Sequence, residues 1–290
     1  AMAARTLMQA MFKGHPYAGD PEGTRQSLPA LTTDDVKRRA ASLLTRNGLV
    51  VAAVGDISEA EIAREVDRTF GALPAGGLGL PTPDWTPPAP TGSKTGRTIV
   101  VERNVPQSVV LMALPGVPRD DPDWYPAFIM NHVLGGGGMA SRLFTEVREK
   151  RGLAYGASSS LRHYRKASLF VASTASANER VAEAIRVARA EFARLRDHGV
   201  TEQELADAKT FLTGSLAISL DSSPAIAGLM HAMQIDGLPR DHLQKRPGLI
   251  AAVKAEDVRR LARRVLRDEL LTTIVVGKPV GVASDPLKDP

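Results

Sequence analysis

The sequence predicts an α+β fold, a duplicated module in which a mixed β-sheet carries helices packed on one face. Three observations carry this reading. Short apolar runs of strand type alternate with long amphipathic helices, the pattern of helices layered on a sheet. One helix–turn–strand unit occurs twice at a constant offset. A proline-rich stretch, residues 74–96, separates the two occurrences.

In chain order, residues 1–13 read as the end of a helix already under way. Met8, Met11 and Phe12 share a face, and no cap precedes them. Gly14 to Leu28 is dense in turn formers. His15 lies there between Gly14 and Pro16, with no acidic or histidine partner at helical spacing, and reads as a structural loop histidine. Thr33 is the expected N-cap of a helix to about Thr45, with Val36, Ala40, Leu43 and Leu44 as its apolar face. After a turn at Asn47 and Gly48, Leu49 to Val54 reads as a fully buried strand. Ser58 and Glu61 form a capping box for a helix that buries Ile62, Val66 and Phe70. Residues 74–96 hold six prolines and no apolar period, so they read as a linker, with Trp85 pinning it down.

Thr98 to Glu102 and Ser108 to Leu114 read as strands, the second nearly all apolar and therefore central. Asp121 or Pro122 opens a helix carrying Trp124, Phe128, Ile129 and Leu134. His132 on this helix has no metal-ligand partner at helical spacing. Ala157 to Leu161 and Ser168 to Thr174 read as a hairpin turning near Arg165 and Lys166. Asn178 is the expected cap of a long helix with Val181, Ile185, Ala188, Phe192 and Leu195 on one stripe, ended by Gly199. Thr201 and Glu204 form another capping box, opening a helix to about Leu220. Pro224 begins a further helix, Asp257 lies near the start of the last one, and Leu271 to Val276 is the last strand.

The repeat is read from two matches. Asp35-Val36-Lys37-Arg38 recurs in type as Asp257-Val258-Arg259-Arg260, and the strand end Val54-Gly55 recurs as Val276-Gly277. Both offsets are 222, since 257 − 35 = 222 and 277 − 55 = 222. The expected division is therefore 1–73 as the C-terminal part of a first module, 74–96 as linker and 97–290 as a complete second module. With the second copy starting near 97, a full first copy would begin near 97 − 222 = −125, so about 125 residues of it are expected to be missing.

Composition excludes several function classes. Cysteine is absent, which removes disulfides, thiolate ligands and a cysteine nucleophile, and leaves periplasm and cytoplasm both open for a soluble chain. The longest apolar run is too short to span a bilayer, and no leader pattern stands at the start. Lys plus Arg is 37 against 32 acidic residues, a net +5. That excess lies on amphipathic helices, aromatics are only 4%, and no nucleic-acid module is visible, so nucleic acid is not an expected partner.

The candidate site is Leu134 to Gly156, LGGGGMASRLFTEVREKRGLAYG. Gly135, Gly136, Gly137 and Gly138 match neither phosphate-binding glycine motif and read as a flexible loop that permits close approach. Leu143, Phe144 and Val147 are apolar at helical spacing, and Arg148 to Arg151 place cations in the last turn. Gly152 suits a left-handed helix end, after which Leu153, Ala154 and Tyr155 enter a strand. Spacing alone favours a solvated cap for Arg148 and half-buried packing for Tyr155. A tight turn between them would also aim both side chains at one place.

The segment SRLFTEVREKRGLAYG closely resembles the second module of the pitrilysin, insulin-degrading enzyme and mitochondrial processing peptidase family, zinc metallopeptidases with an inverted H-x-x-E-H motif. The resemblance implies that family's fold and a zinc cofactor for the full enzyme or its partner. It implies that Arg148 and Tyr155 reach the other module's zinc site, holding substrate backbone and stabilising the tetrahedral intermediate. None of the six histidines (His15, His132, His163, His198, His231, His242) stands in H-x-x-E-H, so no metal ligand and no complete catalytic set is expected here. In the family those ligands belong to the missing part of the first module. The expected function is a portion of a zinc metalloendopeptidase that binds and positions a peptide or unfolded polypeptide. The alternative is a non-catalytic peptide-binding or scaffolding subunit, working with a zinc-bearing partner subunit or as a homodimer.

Overall fold

The computed structural model describes residues 1–76 and 96–285. The expected linker and Trp85 lie almost wholly outside the described residues. In order the elements are α1 (Met2–Met11), α2 (Thr33–Leu43), α3 (Glu59–Phe70), β1 (Arg97–Glu102), β2 (Gln107–Pro115) and α4 (Trp124–Asn131). Then come β3 (Ala154–His163), β4 (Ser168–Ala177), α5 (Val181–His198), α6 (Glu202–Ser219), α7 (Ser223–Ile235), α8 (His242–Ala252), α9 (Ala255–Val265) and β5 (Thr272–Gly277). The fold class is the expected one, a mixed sheet layered with helices.

The five strands stand in the order β1-β5-β2-β4-β3. β5 runs parallel to β1 and antiparallel to β2, and β2–β4 and β4–β3 are antiparallel. β2 is central, as its apolar run predicts. Strand alternation explains why that run is unbroken. Val110, Met112 and Leu114 belong to the core shared with α4, α5 and α9, where Ile129, Ile185, Phe192, Val258 and Leu261 are buried. Leu111 and Ala113 face the other way, into a second cluster with Leu7, Met11 and Phe12 of α1 and the α1 end. The sheet is thus covered on both faces, by several helices on one and by α1 on the other. The outer edge of β1 is closed by residues near the C-terminus. Asp285 N–H donates to Thr98 O at 2.8 Å, and Val100 N–H donates to Ser284 Oγ at 3.1 Å.

By its contacts the chain divides into two units. Among the described residues, 1–19, 96–212 and 248–285 form the sheet unit, and 20–76 and 213–247 form the other. The second unit contains α2, α3 and α7 and is shallow in its burial. Here three expectations are corrected. Leu49 to Val54 is not a buried strand, and Leu49 and Val51 are exposed. A strand exists only through a ladder, and no described segment pairs with this one. Val36, Leu43 and Leu44 are likewise exposed on α2. The α2 cap is Thr32 rather than Thr33. Its hydroxyl accepts from Asp35 N at 3.1 Å while the Asp35 carboxylate accepts from Thr32 N at 2.9 Å, and only Thr32 has an acidic residue at the third helical position. The Ser58–Glu61 box closes as expected.

In the sheet unit Asn178 is not the cap of α5, which starts after Arg180 without a side-chain cap. Its amide is used elsewhere. Ser108 Oγ donates to Asn178 Oδ1 at 2.6 Å, and Asn178 Nδ2 donates to Val105 O at 2.8 Å, tying the start of β2 to the end of β4.

Candidate functional site

The segment from His132 to Gly156 is wound more unusually than its periodicity suggests. His132–Gly136 and Phe144–Glu149 are π-helical turns, joined through a 3-10 turn at Gly138–Ala140. The glycines therefore lie in wound backbone instead of an open loop. The close approach is real: a Cβ on Gly135 would sit 2.4 Å from Ser159 N, so the turn presses directly on β3. π-turns inside helices recur at functional sites.

Two arginines lock this segment in place. Arg142 is buried, and its Nε and Nη2 donate to the Glu204 carboxylate at 2.7 and 2.6 Å, with Nη2 also donating to Gly199 O at 3.0 Å. Arg180 donates to Gly152 O and Arg151 O, each at 2.9 Å, and so satisfies carbonyls at the helix end. Gly152 takes φ 57°, the left-handed exit predicted for it.

Glu146 is buried and gathers the neighbouring cations. Lys150 Nζ donates to it at 2.7 Å, and Arg151 Nη1 donates to both its carboxylate and its main-chain oxygen. The Lys150 hydrogen bond, then that from Arg151, holds the Glu146 carboxyl below its usual value despite burial. Arg148 is left out of this network. Among the described residues no carboxylate pairs with it.

The two residues singled out by the resemblance are brought together. The Arg148 guanidinium carbon lies 4.8 Å from the centroid of the Tyr155 ring and 4.7 Å from that of Phe144. Tyr155 is 86% exposed. It sits where β3 slips register, Ala154 opposing Ser176 and Ala157 opposing Thr174, so Tyr155 and Gly156 together face one residue of β4. Such a bulge re-aims a side chain. Thr174 Oγ1 pins it by donating to Gly156 O at 2.8 Å. The sequence reading placed Phe144 on an apolar helix face and Glu204 in a capping box, but assigned neither them, nor Arg142, nor the bulge to the site. The four-residue spacing of Phe144 and Arg148 was the available signal for the first.

His15 Nδ1 accepts from Tyr17 N at 3.1 Å, and His163 meets the Trp124 ring edge-on at 5.5 Å. His132 stacks on Phe211 at 4.9 Å, and burial pushes its imidazole below the usual histidine value. Among the described residues no three of His, Cys, Asp or Glu are grouped to hold an ion, so the residues present do not fit zinc. No helix among them is long and apolar enough to cross a membrane.

The family model described as the peptidase M16 inactive domain matches residues 30–212. An uncharacterized zinc protease of Streptomyces coelicolor is 32% identical over 261 residues, covering 88% of this chain and 56% of that protein. A Helicobacter pylori protein named as a non-peptidase homolog is 29% identical over 220 residues, covering 74% of this chain and 48% of its own length. The chain thus spans about half the length of these curated relatives. The crystal structure of a peptidase M16 inactive domain from Pseudomonas fluorescens superposes with a TM-score of 0.86 at 30% identity, covering 99% of this chain and 66% of that one. The chain belongs to the peptidase M16 family, the zinc-peptidase family that its segment SRLFTEVREKRGLAYG resembles.

Proposed function

We propose that this chain is the peptide-positioning portion of an M16-type zinc endopeptidase. One observation carries the proposal: Arg148, unpaired with any described carboxylate, stands beside the exposed Tyr155 on a turn locked by Arg142 and Arg180. A guanidinium presents a planar fork of donors, and peptide carbonyls are its natural acceptors. A tyrosine hydroxyl aimed at the reacting carbonyl donates to the oxyanion as charge develops. In this reading Arg148 holds the substrate main chain and Tyr155 donates to the tetrahedral intermediate. Zinc and its ligands come from elsewhere in the protein or its assembly.

The same reading divides the chain into the end of a first module (1–73), a linker (74–96) and a second module (97–290). Matching helix bounds support it. α2 and α9 are offset by 222 at both ends, since 255 − 33 = 222 and 265 − 43 = 222. The aspartate at the third helical position shares the offset: the Asp35 carboxylate accepts from Thr32 N–H, and the Asp257 carboxylate accepts from Lys254 N–H. Val258 and Val265 on α9 are 0% and 5% exposed, whereas their counterparts Val36 and Leu43 are 59% and 60% exposed. An apolar face in the same register supports a first module whose core needs further residues.

The test is binding of an extended, unfolded peptide to this chain, with Arg148→Ala and Tyr155→Phe beside wild type. The proposal expects binding that Arg148→Ala weakens. No binding, or equal binding by Arg148→Ala, removes it. A second reading, a non-catalytic subunit that pairs with a zinc-bearing partner, is favoured by the Helicobacter pylori relative's name. The mass and N-terminal sequence of the native gene product separate the two. About 125 further residues carrying H-x-x-E-H support the endopeptidase, and a longer product without the motif supports the partner.

A further inference from the structure

We propose that Phe144 is a positioning residue for Arg148: its ring sets the plane of the guanidinium so that the N–H edge is presented to a peptide carbonyl. This rests on the reading of Arg148 as a peptide-binding residue. The guanidinium carbon is as close to the Phe144 ring as to Tyr155, 4.7 against 4.8 Å. A cation held over aromatic faces is attracted through its own face, which leaves the donor edge for other partners.

The two rings are not equivalent. Tyr155 is exposed and sits on a bulged edge strand, whereas Phe144 is half-buried on the π-helical turn that carries Arg148. That turn is the better anchored. Leu143 and Val147 on either side of Phe144 are buried, and Arg142 two residues earlier is clamped by Glu204. Phe144 is therefore the fixed wall and Tyr155 the adjustable one. Among the described residues no carboxylate pairs with Arg148: Lys150 and Arg151 take Glu146, and Arg142 takes Glu204. A carboxylate in Phe144's place would draw the fork to itself and occupy the edge that a peptide needs.

The experiment compares wild type, Phe144→Leu and Phe144→Tyr in this chain, with Phe144→Met as a second ring-free variant. The first readout needs no ligand: the Arg148 Nε–H proton shift by NMR, assigned through Arg148→Lys. Ring faces move it upfield in wild type and in Phe144→Tyr, and the upfield displacement shrinks in Phe144→Leu and Phe144→Met. The second readout is Kd for an unfolded peptide, which weakens about three- to tenfold in the ring-free variants and stays within about twofold in Phe144→Tyr. An unchanged shift in the ring-free variants overturns the proposal, as does an unchanged Kd where wild type binds. If wild type binds no peptide, the peptide-binding reading fails, while the proton shift still decides whether Phe144 orients Arg148.

Discussion

Glu204 binds Arg142 across 62 residues of chain, both carboxylate oxygens accepting from the guanidinium Nε and Nη2, while the same carboxylate accepts from Thr201 N at 2.8 Å to cap α6. One acidic side chain thus fixes both the entrance to the Phe144–Glu149 turn and the start of a helix. Burial opposes its ionisation, but Arg142 and the Thr201 backbone N–H outweigh that and hold the carboxyl below its usual value. Arg142→Met, which strands Glu204, is expected to cost on the order of 3 kcal/mol. A urea unfolding midpoint equal to wild type would show that the pair does not anchor the segment.

Acid should unpick the carboxylates of the sheet unit. Arg260 donates to Asp123 at 2.8 and 2.6 Å, and these bonds hold its carboxyl low against the opposing effect of burial. Glu146 is held low by Lys150 and Arg151. A folded value below the unfolded one means that the unfolded chain binds more protons in the window between them. The stabilisation is therefore present above the ordinary values of 3.8 for aspartate and 4.5 for glutamate, and is lost as pH falls through the lower folded values. Asp123→Asn should be less stable than wild type at neutral pH, and the gap should narrow below about pH 4. Unfolding midpoints across that range check this, and a constant gap would refute it.

Two glycines should respond oppositely to alanine. Gly135→Ala drives a Cβ onto the backbone of Ser159, which cannot move without β3, and should cost about 1–3 kcal/mol. Gly214 lies exposed within α6 with open space around it. Gly214→Ala should stabilise by about 0.5–1 kcal/mol. Thermal or urea unfolding of the two variants measures both signs.

In an active protein that contains this chain together with a zinc site, Tyr155→Phe should lower kcat by about ten- to a thousandfold, the effect of losing an oxyanion donor. KM should change much less, because the interaction forms chiefly in the transition state. Steady-state kinetics on one peptide substrate decide it, and an unchanged kcat removes Tyr155 from the mechanism.

The sheet unit was largely legible in the sequence because its signals are local. The β2 run, the β3–β4 hairpin and the Thr201–Glu204 box each depend on neighbouring residues, and each is present. Leu49 to Val54 failed because a strand depends on partners that its own pattern cannot supply. Asn178 failed because two competing acceptor and donor sites, Ser108 and Val105, are distant in sequence. At the site, the glycine turn left room for Arg148 and Tyr155 to meet, but it was the family resemblance, not the spacing, that paired them. The π-winding and the bulge were not, since both arise from packing between segments.

The strand order has a consequence for how the protein is made. β1 and β2 are consecutive and separated by only a short loop, yet β5, the last of the described strands, stands between them. During vectorial synthesis β1 and β2 must leave a gap that stays unfilled until Thr272–Gly277 emerges. α1, which precedes β1 in the chain, also packs on β5 and waits for the same event. Closure of the sheet is therefore a late event with high contact order, and until it happens two apolar strands show unpaired edges. A ribosome that stalls before β5 releases a chain whose central seam is open, a natural target for chaperones and proteases.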